Sequence, residues 1–214
     1  MTNQEHYENQ DADIWQKFAE QENLSAQALE QFKRYAALLE EWRERINLTT
    51  ITGTANIIRN HFQDSLEVAR FIDVKKVNTI CDVGTGGGFP GLPLKIKFPH
   101  LSVVLIEVNN KKVQFLTTVI HELGLDNVTI SDLDWRTFLR KTDYEIDLFC
   151  ARASLHTDEL IRLFKPGCRY KSARLIYWAS HDWQPGQEEG PYVKSEYAYQ
   201  LGSKKRRYIL MSAV

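Results

Sequence analysis

The sequence predicts an α/β protein, with a mostly parallel sheet, an antiparallel C-terminal hairpin and an N-terminal helical cap. Three observations carry this. The run Thr79-Ile80-Cys81-Asp82-Val83 is a short apolar strand that meets the glycine-rich Gly84-Thr85-Gly86-Gly87-Gly88, then a proline able to open a helix. Downstream, apolar runs alternate with helical patterns, as in βαβ units. Upstream, Leu29, Phe32, Tyr35, Leu39, Trp42 and Ile46 recur at helical spacing, with charges on the other face.

Residues 1–13 are polar and acidic and are expected to lack fixed structure. Ser25 is placed to cap the long amphipathic helix, with Leu24 and Leu29 as a hydrophobic staple. A second helical region spans roughly 54–71. These elements form a tail and cap over 1–74, and an α/β domain fills 75–214. Its expected strands are 77–83, 101–107, 128–130, 147–151 and 174–179. Helices are expected over 90–98, 110–123 and 158–164, with Gly124 stopping the second. Residues 182–190 read as loop. Two apolar runs, 192–201 and 207–211, flank Gly202-Ser203 as a hairpin.

A chain of 214 residues fits one main domain with an appendage. A net charge of −1 gives no global attraction for nucleic acid, so any such binding needs a local patch. No apolar run approaches the 18 or so residues of a membrane span, and the first residues are unlike a signal or transit peptide. The three cysteines, Cys81, Cys150 and Cys168, show no C-x-x-C spacing, which argues against a zinc site or a disulfide framework and suits a reducing cytoplasm. No metal site is expected.

The glycine loop is a nucleotide-type site at a strand-to-helix turn, where free N–H groups and a positive dipole end face a ligand. Asp82, Gly84, Gly86 and Gly88 read as D-x-G-x-G-x-G. Gly86, Gly88 and Gly91 also satisfy the dinucleotide pattern G-x-G-x-x-G, but that loop should begin at the strand end, Gly84, and its third glycine then falls on Phe89. The first register and the strand-end acid suit a ligand with an ammonium and two hydroxyls, such as S-adenosylmethionine. Glu107, about 20 residues beyond the loop, is placed to accept from ribose hydroxyls. A dinucleotide-dependent oxidoreductase is the rival that the second register keeps open.

Ile46-Asn47-Leu48-Thr49, His61 with Asp64-Ser65-Leu66, the string from Asp82 to Leu94, Lys111-Lys112 with Phe115-Leu116, and Ala151-Arg152-Ala153 fall together in the order of one family. The chain resembles the RsmG (GidB) family, well over about residues 24–170 and weakly beyond. The resemblance implies a class I methyltransferase (Rossmann-like) fold under a helical cap. It also implies methyl transfer from S-adenosylmethionine to the 7-nitrogen of a guanine in small-subunit (16S) ribosomal RNA, free or in a ribosomal particle. By position it implies cofactor contacts at Gly84, Phe89 and Arg152, and along Trp135-Arg136, which fall on the family's adenine-side A-E. There the family's G-R-A-E is replaced by Leu133-Asp134-Trp135-Arg136. Asp132 or Asp134 would supply the missing acid, and Trp135 would stack on the base. The family's K-G after the following apolar strand is replaced by Ala179-Ser180. These departures keep open a non-catalytic or retargeted relative.

Guanine N7 carries a lone pair and no proton, so methylation there needs no general base, and no catalytic residue is assigned. Asp82 would bind the cofactor ammonium or else bond loop amides. His61 and Asp64 share a helix face and would line the pocket or tie the cap to the sheet. Candidate phosphate contacts are Lys111, Lys112, Arg169, Lys171, Arg174 and the run Lys204-Lys205-Arg206-Arg207.

Overall fold

A computed structural model describes the backbone of residues 3–214 and the side chains of residues 11–214. Among them, seven strands form one sheet in the order β3-β2-β1-β4-β5-β7-β6. The first five are β1 (Thr79–Val83), β2 (Ser102–Ile106), β3 (Val128–Ser131), β4 (Leu148–Arg152) and β5 (Arg174–Ser180). They pair in parallel. The central strands are near-continuous apolar runs because helices cover both sheet faces. The hairpin strands, β6 (Val193–Leu201) and β7 (Lys204–Met211), close one edge antiparallel, β7 pairing with β5. This is the mostly parallel sheet with an antiparallel C-terminal hairpin that the sequence predicts.

Two differences lie at the N-terminus. Helix α1 covers Asn3–Glu22, so the expected lack of structure is overturned for residues 3–13, while residues 1 and 2 lie outside the described residues. Its Trp15 and Phe18 reach the core, and Phe18 meets Phe32 edge-to-face at 5.2 Å. A polar sequence thus holds a helix through a few apolar anchors farther along it. Helix α2 is Ala26–Arg43, where the Ser25 side chain accepts from the Ala28 amide at 3.1 Å. Ile46 lies beyond its end but still packs on the core. The region expected over 54–71 is one helical passage: α3 (Thr54–Ile57), a π-helical turn (Ile58–Gln63), α4 (Asp64–Leu66) and a 3-10 turn.

Helices α5 (Gly91–Lys97) and α6 (Asn110–Glu122) join the cap on one face of the sheet. The other face is covered by α7 (Trp135–Lys141) and α8 (Thr157–Leu160), the latter continued by a 3-10 turn to Phe164. Helix α7 is absent from the sequence reading because it opens at Asp134, inside the segment compared with the family's loop. The basic run 204–207, named among the candidate phosphate contacts, is the first half of β7.

Candidate active site

The crevice opens beyond the carboxyl ends of β1 and β4, where β1 has β2 on one side and β4 on the other. Chain crossings diverge at this point and leave room for a ligand. The loop after β1 is tied down by its own amides. Thr85 donates to the Ile106 carbonyl at 3.0 Å, and Gly88 and Phe89 both donate to the Thr85 carbonyl at 3.0 Å. Two glycines are obligatory for different reasons. Gly84 has φ +64°, and a Cβ there would sit 2.6 Å from the Ser154 Cβ. Gly86 has φ +60°, but a Cβ there would meet nothing within 4 Å. Gly84 is therefore needed for close packing against the loop after β4, whereas Gly86 borders open space.

Asp82 is fully buried at the end of β1. Its Oδ2 accepts from the Thr85 hydroxyl at 2.7 Å and from the Gly91 amide at 2.8 Å. Burial pushes its carboxyl up to about 6, against the pull of those two donors. Of the two roles weighed for Asp82, bonding of the loop is the one observed, and it also draws the start of α5 in. Its Oδ1 is buried without a partner, and so is the Ser154 hydroxyl beside Gly84. Such atoms call for a partner from water or a ligand. Glu107, just past β2, accepts from the Gly86 amide through Oε2 at 3.0 Å and from the Asn109 amide through Oε1 at 2.9 Å. Each carboxylate oxygen has a second lone pair free for another donor. Open space at Gly86, a carboxylate aimed at that glycine and buried acceptors without partners fit a small ligand rich in donors.

Phe89 forms the cap-side wall. Its ring stacks on His61 at 4.3 Å and on Tyr35 at 5.5 Å, and the Arg152 guanidinium lies 5.1 Å above it. The Tyr35 hydroxyl donates to the Gly87 carbonyl. Arg152 ends β4 and reaches the cap. It donates to Asp64 Oδ2 at 2.9 Å, to the Asn60 carbonyl at 3.2 Å and to His61 Nδ1 at 3.2 Å. Burial, with Arg152 and Arg206 adding repulsion, lowers His61 to about 3. The ring is neutral. With Nδ1 accepting from Arg152, Nε2 carries the proton and donates to Thr49 Oγ1 at 2.9 Å. Asp64 is the centre of this group: Tyr199 donates to its Oδ1 at 2.7 Å, and Arg206 reaches Oδ2 at 3.3 Å. His61 and Asp64 thus tie the cap to the sheet and the hairpin.

Asp82, Gly84, Gly86, Gly88, Phe89 and Glu107 gather round one loop, and Arg152 stands behind Phe89. Trp135 and Arg136 do not join them through their side chains. The Trp135 indole is buried, edge-on to Phe149 at 5.6 Å, and its Nε1 donates to the Glu159 carbonyl at 2.8 Å. A ring so packed has no free face, which corrects the expectation that it stacks on a base. Arg136 forks onto Glu159 at 2.6 and 2.8 Å. Asp134 caps α7, accepting from the Thr137 amide at 3.0 Å and the Thr137 hydroxyl at 2.6 Å, which leaves Asp132 as the exposed acid of this segment without such a role. Residues not assigned a site role from sequence are Tyr35, Thr85, Ser154 and Tyr199, and Arg206, a candidate phosphate contact from sequence, instead pairs with Asp64. The available signal was Asp64 itself, an acid on an apolar helical face that needs buried donors.

Among the described residues no cluster of His, Cys, Asp and Glu could hold a metal ion, and no helix is long and apolar enough to cross a membrane.

A family model described as rRNA small subunit methyltransferase G matches residues 28–200. A Bacillus subtilis protein named ribosomal RNA small subunit methyltransferase G is 42% identical over 146 residues, covering 67% of this chain and 61% of its own length. One of the same name from Lysinibacillus sphaericus is 34% identical over 200 residues, covering 87% and 82%. The chain spans about three-fifths of the length of several such relatives. Among solved structures, the METTL16 methyltransferase domain superposes with a TM-score of 0.58 at 13% identity, covering 84% of this chain and 79% of that one. M. capricolum TrmK, solved with S-adenosyl-homocysteine, gives 0.54 at 15% identity, covering 70% and 67%. At these identities the superpositions establish the class I methyltransferase fold.

Proposed function

Since the chain belongs to the rRNA small subunit methyltransferase G family, we propose that it transfers a methyl group from S-adenosylmethionine to the 7-nitrogen of a guanine in small-subunit ribosomal RNA. The observation that carries this reading is the pairing of Gly86, open to the crevice, with Glu107, whose carboxylate holds the Gly86 amide at 3.0 Å. Bound there, S-adenosylmethionine supplies a methyl group already activated on a sulfonium.

The protein's part is binding and alignment. Glu107 uses its free lone pairs on the ribose hydroxyls, and the loop from Gly84 to Gly88 gives the ligand close backbone approach. Phe89, held from behind by His61 and Tyr35, is a rigid apolar wall. Asp132 is the acid available on the adenine side, and Trp135-Arg136 would contribute backbone only. Asp82 acts on the cofactor through the loop it holds, and its free Oδ1 and the Ser154 hydroxyl would bond the amino-acid end directly or through water.

Charge balance favours the reaction. The transferred positive charge starts on sulfur and ends on the guanine. A bare guanidinium at the transfer point would oppose both states. Arg152 is ion-paired with Asp64, and His61 is neutral, so neither repels the reacting pair. No residue need take a proton from N7, so alignment and exclusion of water account for the catalysis expected. The partner is small-subunit RNA, free or in a particle, and the three free thiols suit a reducing cytoplasm.

The test is to incubate the protein with methyl-labelled S-adenosylmethionine and small-subunit particles lacking the modification, digest the RNA, and look for labelled 7-methylguanosine. Titration with S-adenosylhomocysteine and with a nicotinamide dinucleotide accompanies it. No labelled product, or preference for the dinucleotide, would overturn the proposal.

A further inference from the structure

A second groove, of about 990 Å³, lies on the sheet face away from the cap. Its walls are α7 and the segment between the 3-10 turn at Phe164 and β5. Because α7 runs antiparallel to the strands, Arg140 and Lys141 lie toward the amino edge of the sheet. The segment 165–169 leads into the first residue of β5 and lies at the same edge. The Thr142 hydroxyl and Tyr170 hydroxyl are 2.7 Å apart and join the two walls. With five-residue strands rising about 3.3 Å per residue, this edge is roughly 16 Å from the crevice.

Six cations line the groove: Arg136, Arg140, Lys141, Arg162, Lys165 and Arg169. Glu159 neutralises part of this charge by bridging Arg136 and Arg162, and those two guanidinia hold its carboxyl down at about 2. Arg140, Lys141, Lys165 and Arg169 have no ion-pair partner among the described residues, and Asp143 is the one carboxylate in the lining. The chain as a whole carries a net charge of −1, so this concentration is not general basicity. Arg169 also lines an adjoining hollow with Lys76 and Arg174, where Glu145 and Asp147 offset part of the charge, and Tyr144 there is 37% exposed, stacked on Phe138 at 5.9 Å.

We propose that this groove is a second RNA-contact surface, one that holds a phosphodiester backbone distant from the target guanine. A track of unpaired cations with an exposed aromatic ring at one end suits successive phosphates better than a single anion, and the open lining suits a chain passing through. In naming RNA as the occupant, the inference rests on the proposed function. It places part of the substrate affinity on the face opposite the cap, so the enzyme grips structured RNA at two separated points and reads more than the nucleotide it modifies.

The experiment uses the full chain carrying Arg140→Gln, Lys141→Gln, Lys165→Gln and Arg169→Gln together. A charge-matched control carries Lys17→Gln, Lys33→Gln, Lys75→Gln and Lys194→Gln. Affinity for a labelled small-subunit RNA and for polyglutamate is measured by anisotropy across a salt series, and S-adenosylhomocysteine affinity by calorimetry. The groove variant is expected to lose RNA affinity at least tenfold at about 0.1 M salt, and its salt slope to flatten by roughly three. The control should lose far less, and S-adenosylhomocysteine affinity should be unchanged in both. RNA binding by the groove variant equal to the control's would overturn the inference. So would groove-dependent binding of polyglutamate without RNA binding, which would mark a protein-docking surface. Failure of the parent chain to bind S-adenosylhomocysteine would sink the proposed function alone, since the RNA comparison is read separately.

Discussion

Replacing Asp64 by asparagine tests whether one buried carboxylate holds the cap, the crevice and the hairpin together. Asp64 is fully buried and accepts from Tyr199 at 2.7 Å, Arg152 at 2.9 Å and Arg206 at 3.3 Å. The side chains of Arg152 and Arg206 are only 14% and 29% exposed, so water can replace little of what they lose. Removing one partner of a buried pair costs about 3–5 kcal/mol. The amide of the substituted side chain would keep one oxygen for Tyr199, and Arg206 has some access to water, so the lower end, about 3 kcal/mol, is expected for Asp64→Asn. Urea unfolding followed by fluorescence and circular dichroism measures it. For a chain of this size the same loss lowers the melting temperature by roughly 6–12 °C. The partner test is Arg206→Met, which removes a cation that has lost its counterion. It should be less harmful in the Asp64→Asn background than alone, by about 1–2 kcal/mol of coupling. A loss under about 1 kcal/mol for Asp64→Asn, or strict additivity with Arg206→Met, would refute the reasoning.

The remaining predictions concern the crevice. Folding raises the Asp82 carboxyl from 3.8 to about 6, so the folded state holds the extra proton and this contribution to stability, roughly 3 kcal/mol, is present below pH 4 and lost by pH 6. Folding lowers His61 from 6.5 to about 3, so its contribution runs the other way, present above pH 6.5 and lost as the pH falls toward 3. The two offset each other between about pH 4 and 6. His61→Gln should therefore lose stability as the pH rises through that window and Asp82→Asn should gain it, and parallel pH profiles in urea melts would contradict both assignments. Glu107→Ala should weaken S-adenosylhomocysteine binding by about 1–3 kcal/mol in calorimetry, and unchanged affinity would remove the ribose role. Gly86→Ala should cost about 1–2 kcal/mol of stability through its left-handed φ and reduce cofactor affinity at least tenfold, because its methyl group enters open crevice. Gly84→Val should abolish cofactor binding in a chain that still folds, because the side chain meets Ser154; undiminished affinity would show that the loop adapts.

The sheet was legible because its signals are local. An apolar run, a glycine turn and a helical stripe each name an element without reference to anything distant, and the strand ends fell within about two residues for β1 to β5. Helix α7 was hidden because it follows no glycine or proline signal and begins inside the segment compared with the family's adenine-side loop. The core of the crevice was legible for the same reason as the sheet: Asp82, Gly84, Gly86 and Glu107 sit at strand ends, where the motif and the topology coincide. The hub at Asp64 was not. Its donors stand 88, 135 and 142 residues away in sequence, and Tyr199 and Arg206 become neighbours only through the register of β6 on β7. Trp135 misled because a family position fixes where the backbone passes and leaves the ring's direction to local packing.

Arg152 shows how the cap bears on the crevice without lining it. Its position one residue beyond Ala151, at the carboxyl edge of β4, suggested a ligand contact, yet its nitrogens are directed at Asp64, His61 and the Asn60 carbonyl. Behind Phe89, its guanidinium lies 5.1 Å from the Phe89 ring. Phe89 packs against that cation and the rings of His61 and Tyr35, and the Tyr35 hydroxyl holds the Gly87 carbonyl. A shift of the cap would therefore move Phe89 and the glycine loop together. The geometry offered to a ligand at Gly86 depends on helices whose nearest claim on the chemistry is that they keep an aromatic ring and a carbonyl in place.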